Sequence, residues 1–185
     1  MPTRREAAEE TAPDRLGATL RRLSRNPHYV FGVLARFFNV AAQTCIWTFT
    51  IQYAMATLGG TEAGWYLQAT MIVFLISRFA MVGLMGVIRP ALLLAGMALV
   101  GTVLCLFAAG GPGMAGLWAV VALSACLSPM FPIIYGIATE GLAEDTKFGA
   151  AGPVMAILGG AVMPMVQGTI LDARGTQLSF VVPGL

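Results

Sequence analysis

The stretch from Tyr29 to Thr57, YVFGVLARFFNVAAQTCIWTFTIQYAMAT, limits most strongly what this chain can become. At 1.5 Å of rise per residue, a helix of that length crosses a bilayer core of ~30 Å. The stretch is apolar but not uniformly so. Arg36, Asn39, Gln43, Trp47 and Thr50 recur every three or four residues, which puts them on one side of a helix. An amide or a charge turned toward lipid costs on the order of a few kcal/mol. The stripe is therefore expected to face other helices or a water-filled path.

The rest of the chain supports a membrane setting. Only 11% of its residues are charged and 57% are hydrophobic, whereas soluble domains carry about 25% charged residues. Further spans are expected at about 65–87, 91–109, 114–138 and 148–171. The apolar tail from Leu178 has eight residues, and a span needs about twenty. The expected fold is an all-α membrane protein with five spans and the start of a sixth, read as truncated there. Arg78 lies well inside the second span, where it is either buried against partners or snorkels to the surface. Pro129 and Pro132 lie inside the fourth span, and neighbouring groups must satisfy the carbonyls they free. Gly149, Gly152, Gly159, Gly160 and Gly168 mark the fifth span as one that other helices can approach closely. Pro153 and Pro164 are expected to bend it.

Residues 1–28 form a polar segment. No apolar stretch follows its early arginines, so it is not a secretory signal. From Pro13, leucines at 16, 20 and 23 share one face and arginines at 15, 21, 22 and 25 hold the rest. This predicts a short basic amphipathic helix lying on an anionic leaflet, with a solvated linker helix as the alternative. Six arginines precede the first span, the turns at 58–64 and 110–113 carry none, and Arg89 and Lys147 fall in the alternate loops. By the positive-inside distribution the N-terminus is cytoplasmic.

No enzyme chemistry is legible. His28 is the one histidine and has no partner at catalytic or metal-ligand spacing. Cys45, Cys105 and Cys126 all lie in apolar runs and show neither metal nor disulfide spacing. Glu140, Glu144 and Asp145 share one loop with Lys147, and read as a solvated, salt-bridged loop rather than an acid/base pair. No cofactor, metal or nucleic-acid partner is expected.

Three segments resemble the L-fucose permease family of the major facilitator superfamily. The first is Ala42-Gln43-Thr44 with Trp47. The second is Ser77-Arg78-Phe79. The third and most specific runs from Glu144-Asp145-Thr146-Lys147-Phe148-Gly149-Ala150-Ala151 through Val154-Met155-Ala156-Ile157-Leu158-Gly159-Gly160-Ala161 to Pro164, Gly168 and Asp172. The resemblance covers about residues 27–185. It implies the C-terminal half of a twelve-helix sugar/proton symporter of the inner membrane. Three departures stand out: Ile133 follows Phe131-Pro132 where relatives carry Thr, Pro153 replaces an aliphatic residue, and Ala143 stands where Gly is common.

The resemblance implies a monosaccharide and a proton as partners, together with the lipid bilayer and an N-terminal six-helix bundle that carries the proton-coupling acids. The alternative is a non-transporting remnant or an assembly partner of a full-length transporter. A sugar site needs amides for hydroxyl groups and an aromatic face for the ring. Gln43, Asn39, Thr44, Trp47 and Tyr135 are the candidates. Each also has a packing role open to it: Gln43 as partner of a neighbouring backbone, Trp47 as core, Tyr135 as an interfacial anchor. Arg36, Arg78, Asp145 and Lys147 are candidates for gating or structural polar roles.

Overall fold

The computed structural model describes residues 21–59, 63–86, 88–111, 113–140, 149 and 151–184. Asp145, Lys147 and all but the last turn of the expected amphipathic helix lie outside them. Residues 21–25 are helical. Four long helices follow: α1 (Pro27–Leu58), α2 (Ala63–Met85), α3 (Pro90–Gly110) and α4 (Gly113–Thr139). A fifth span is built from α5 (Ala151–Met155), a 3₁₀ turn (Ala156–Leu158) and α6 (Gly159–Arg174). The tail folds into α7 (Thr176–Ser179) and a second 3₁₀ turn at Val182–Gly184.

Local chemistry sets the ends of α1. The Asn26 side chain accepts from the backbone N–H groups of His28 and Tyr29, and Pro27 opens the first turn, where its missing N–H is harmless. Gly59 closes the helix at φ 66°, a conformation that favours glycine, and its N–H returns to the Met55 carbonyl. At 32 residues, α1 is roughly 48 Å long, more than a bilayer core is thick.

The centre of the bundle is α4. In its most apolar 18-residue stretch 67% of residues are buried, against 6% in α2. Around α4 pack α1, α2 and α3, and the fifth span lies along α1. Ile46, Phe49, Tyr53, Leu117, Val120 and Leu123 form the core between α1 and α4. Lipid tails are as apolar as leucine, so helices here are held by close van der Waals packing and hydrogen bonds rather than by escape from water. Glycine provides the closeness. A Cβ at Gly32 would overlap Ala138, and Cβ atoms at Gly152, Gly159 and Gly160 would run into Tyr29, Phe37 and Thr44.

Two serines tie α2 to α4. The Ser77 hydroxyl donates to the Ala125 carbonyl at 2.8 Å, and the Ser128 hydroxyl donates back to the Phe74 carbonyl at 2.7 Å. The first bond has a covalent cause. Pro129 has no N–H to return to the carbonyl four residues earlier, which is that of Ala125. Ser77 supplies the donor that the helix itself lacks. The sequence requires such a partner, and the structure identifies it. Ser77→Ala is expected to destabilise the bundle by about 1 kcal/mol, toward the upper end for interhelical hydrogen bonds in membranes. Ser128→Ala leaves Phe74's carbonyl its intrahelical bond and is expected to cost less. Thermal unfolding in detergent checks the order; equal shifts would sink the proline argument.

Candidate functional site

The stripe on α1 does not act as one surface. Successive positions turn by about 100°, so its five members splay across a sector and meet different neighbours. Arg36 meets the second half of α4 and Trp47 meets α2. Arg36 is 2% exposed. Its Nη1 donates to the Phe131 carbonyl at 3.0 Å, and its guanidinium carbon lies 2.9 Å from the centre of the Phe131 ring. Arg78 of α2 reaches the same ring at 5.6 Å and the Phe74 ring at 6.0 Å. Trp47 meets Phe74 edge to face, with ring centres 5.1 Å apart. Two cations, one indole and two phenyl rings from three helices therefore adjoin one another, with half-buried Gln43 on α1 between Arg36 and Trp47.

Two donors in this cluster, the buried Nε of Arg36 and the buried indole Nε1 of Trp47, have no protein partner among the described residues. A buried N–H that stays unpaired costs about 1–3 kcal/mol. Both nitrogens are closed off from solvent, so an acceptor from outside the described residues reaches them only when neighbouring side chains shift. The Trp47 and Phe74 rings add apolar surface beside them.

The other candidates go elsewhere. Asn39 is 4% exposed, and both its amide O and N lack partners. It lines a cavity of about 160 Å³ with Phe38, Ala42, Thr102, Cys105 and Cys126, closed on one side by Pro183 and Gly184. That cavity lies toward α3, away from Phe74 and Arg78. Thr44 turns to the fifth span: its hydroxyl donates to the Val40 carbonyl at 2.9 Å and faces Gly160. Thr50 is buried and donates to Ile46 within its own helix at 2.6 Å. Tyr135 stands one turn beyond Phe131 on α4 and is exposed.

Phe74 and Phe131 are the members that sequence reasoning leaves out. An aromatic residue in an apolar run reads as lipid-facing or core. The available signals were indirect: Phe74 sits four residues before Arg78, and Phe131 directly precedes Pro132. Among the described residues no group of histidine, cysteine and acid side chains could hold a metal ion.

No family model matches the chain. It is 39% identical over 161 residues to the L-fucose-proton symporter of Escherichia coli K12, covering 85% of this chain and 37% of that protein. The L-fucose-proton symporter of Haemophilus influenzae is 37% identical over 183 residues, covering 95% and 42%. A glucose/galactose transporter of Brucella abortus is 30% identical over 160 residues, covering 84% and 39%. The crystal structure of the E. coli fucose:proton symporter superposes with a TM-score of 0.88 at 37% identity, over 91% of this chain and 42% of that one. The chain thus spans about two-fifths of the length of the relatives it matches. All of these are transporters rather than enzymes. The fold is that of a major facilitator superfamily permease, in its C-terminal half. Within the superfamily the match is to the L-fucose permease family.

Proposed function

We propose that this bundle is the C-terminal half of a symporter that takes up a monosaccharide, L-fucose or a related hexose, together with a proton. It works against an N-terminal six-helix bundle, the two rocking about a site near the bilayer midplane. The observation that carries the reading is the Trp47 indole N–H, buried and unpaired beside half-buried Gln43 on the α1 face shared with Phe74 and Phe131. The names of the relatives support it: L-fucose-proton symporters and a glucose/galactose transporter. Gln43 offers a donor and an acceptor to sugar hydroxyls, and Trp47 offers both a donor and a ring face. Asn39, Thr44 and Tyr135 remain proposed contributors from neighbouring faces; the cavity beside Asn39 gives that residue a path of its own. The protein lies in the inner membrane with its N-terminus in the cytoplasm, supported by the arginines before α1 and their absence from the turns at 58–64 and 110–113.

The test pairs this chain with the N-terminal half of the E. coli L-fucose-proton symporter in proteoliposomes. Labelled L-fucose, galactose and glucose are offered under an imposed proton gradient. Uptake of one of them is expected, with Gln43→Ala lowering it at least tenfold. The 185 residues alone are expected to give none, because alternating access needs two bundles. Undiminished uptake by Gln43→Ala would remove that residue from the site. A pair that assembles yet carries no sugar would favour the reading of a non-transporting partner.

A further inference from the structure

The five spans hold a charge that nothing within them balances. Within them stand two cations, Arg36, nine residues from the start of α1, and Arg78, seven residues from the end of α2. The one acid inside a span is Asp172, two residues from the end of α6. It is exposed. Arg36 is anchored to a backbone carbonyl, and its buried Nε is unpaired. Arg78 reaches the bundle surface half-exposed, alongside the Phe74 and Phe131 rings. Aromatic faces soften the desolvation of a guanidinium but carry no net charge to cancel it. Charges at membrane depth are held by opposite charges, backbone carbonyls or water, and no bond of these kinds is found for Arg78 among the described residues.

We infer that the face carrying Arg78 docks on a carboxylate of the N-terminal bundle. An Asp or Glu side chain of that bundle comes within ion-pair distance of Arg78 when the two halves meet. Arg36 is the positioning residue behind it. Its hydrogen bond to the Phe131 carbonyl and its stacking fix the ring around which Arg78 lies. A carboxylate fits better than a lipid phosphate because of where the guanidinium lies. Arg78 is seven residues, about two turns, from the end of α2 at Met85, and its guanidinium lies by Phe74, one turn farther from that end, and by Phe131 of α4. The inference rests on the two-bundle reading above and adds to it the contact that recognises the partner.

The experiment reads assembly rather than transport. The chain is co-expressed with a tagged N-terminal half of the E. coli L-fucose-proton symporter, and the recovered complex is quantified. Each Asp and Glu in the spans of that half is replaced in turn by Asn or Gln. Arg78→Gln is expected to lower recovery at least fivefold, and one acid replacement to do the same. The double replacement is expected to lose no more than either single one, the signature of a shared pair. Arg36→Lys is expected to keep the charge but lose the stacked geometry, with an intermediate loss. Bound phospholipid is measured in the same samples. Recovery indifferent to Arg78→Gln, in protein whose melting is unchanged, overturns the pairing alone. So does a loss that couples to no acid but follows loss of anionic lipid. Failure of the unmodified chain to recover any partner overturns the two-bundle reading and the pairing with it.

Discussion

Gly159→Leu is expected to open the contact between α1 and the fifth span and to lower the melting temperature of the bundle more than any surface change. The reason is space rather than backbone freedom. Gly159 sits in ordinary helical geometry at φ −54° and ψ −38°. A Cβ there would fall inside contact distance of the Phe37 carbonyl oxygen and crowd the Phe37 ring. The ring can turn; the carbonyl belongs to α1 and cannot move without the helix. Overpacking of this kind costs typically 1–3 kcal/mol and more where backbone must shift. Better helix propensity returns at most about 1 kcal/mol. Gly160→Ala meets chiefly the side chains of Thr44 and Val40 and should cost less. Gly96→Ala meets nothing within 4 Å and should be neutral or slightly stabilising. The measurement is convenient because Cys45, Cys105 and Cys126 are all free and buried. A thiol-reactive fluorophore therefore reports unfolding. A Gly159→Leu protein that melts with the Gly96→Ala protein would refute the close crossing.

The spans and the close approach along the fifth one were legible because both are composition effects. Apolar length marks a helix that must cross, and recurrent glycine marks a face that another helix can approach. Partner choice was not legible. Asn39 and Gln43 are one turn apart on one stripe, yet Asn39 lines the cavity beside α3 and Gln43 does not. The angle between them is about 40°. Whether that angle separates two residues or unites them depends on where the neighbouring helices stand. Thr44, next in sequence to Gln43, is already against the fifth span. The Pro129 kink site follows the same logic. Covalent structure demands a donor for the Ala125 carbonyl, and only the arrangement of α2 reveals that Ser77 provides it. The 3₁₀ turn at Ala156–Leu158 lies just past Pro153 and just before the two glycines that α1 approaches. A wheel drawn with a constant 100° step misses it. The role of Phe131 is not legible in the sequence, because an aromatic ring in a span carries no polarity to mark it; the role comes from the arginine that another helix brings to it.

Tyr53→Ala is expected to be the most damaging truncation in the half of the bundle remote from Arg36. Tyr53 is 1% exposed and sits where α1, α3, α4 and the tail converge. Its ring lies edge to face with Phe180 at 5.0 Å, and its oxygen lies where a side chain on Gly116 would have to go. Its hydroxyl donates to the Ala108 carbonyl at 2.7 Å. That carbonyl is orphaned by the sequence, because the residue four positions on is Pro112, which has no N–H. Two losses therefore separate. Tyr53→Phe removes the donor alone and leaves a buried carbonyl unpaired, at about 1–3 kcal/mol. Tyr53→Ala adds a cavity with four elements around it, for roughly 3–5 kcal/mol in all by the measure of aromatic truncations in cores. Trp65→Ala is the control, since that larger ring is 70% exposed and holds no such junction. Thiol-reactive melting should rank the proteins Trp65→Ala, Tyr53→Phe, Tyr53→Ala in increasing loss. The last should also react fastest at Cys105, which lies in the same cluster as Tyr53 and Phe180. If Tyr53→Ala melts no lower than Tyr53→Phe, the ring is not what holds the tail against α1 and α3, and the hydrogen bond to Ala108 carries the junction alone.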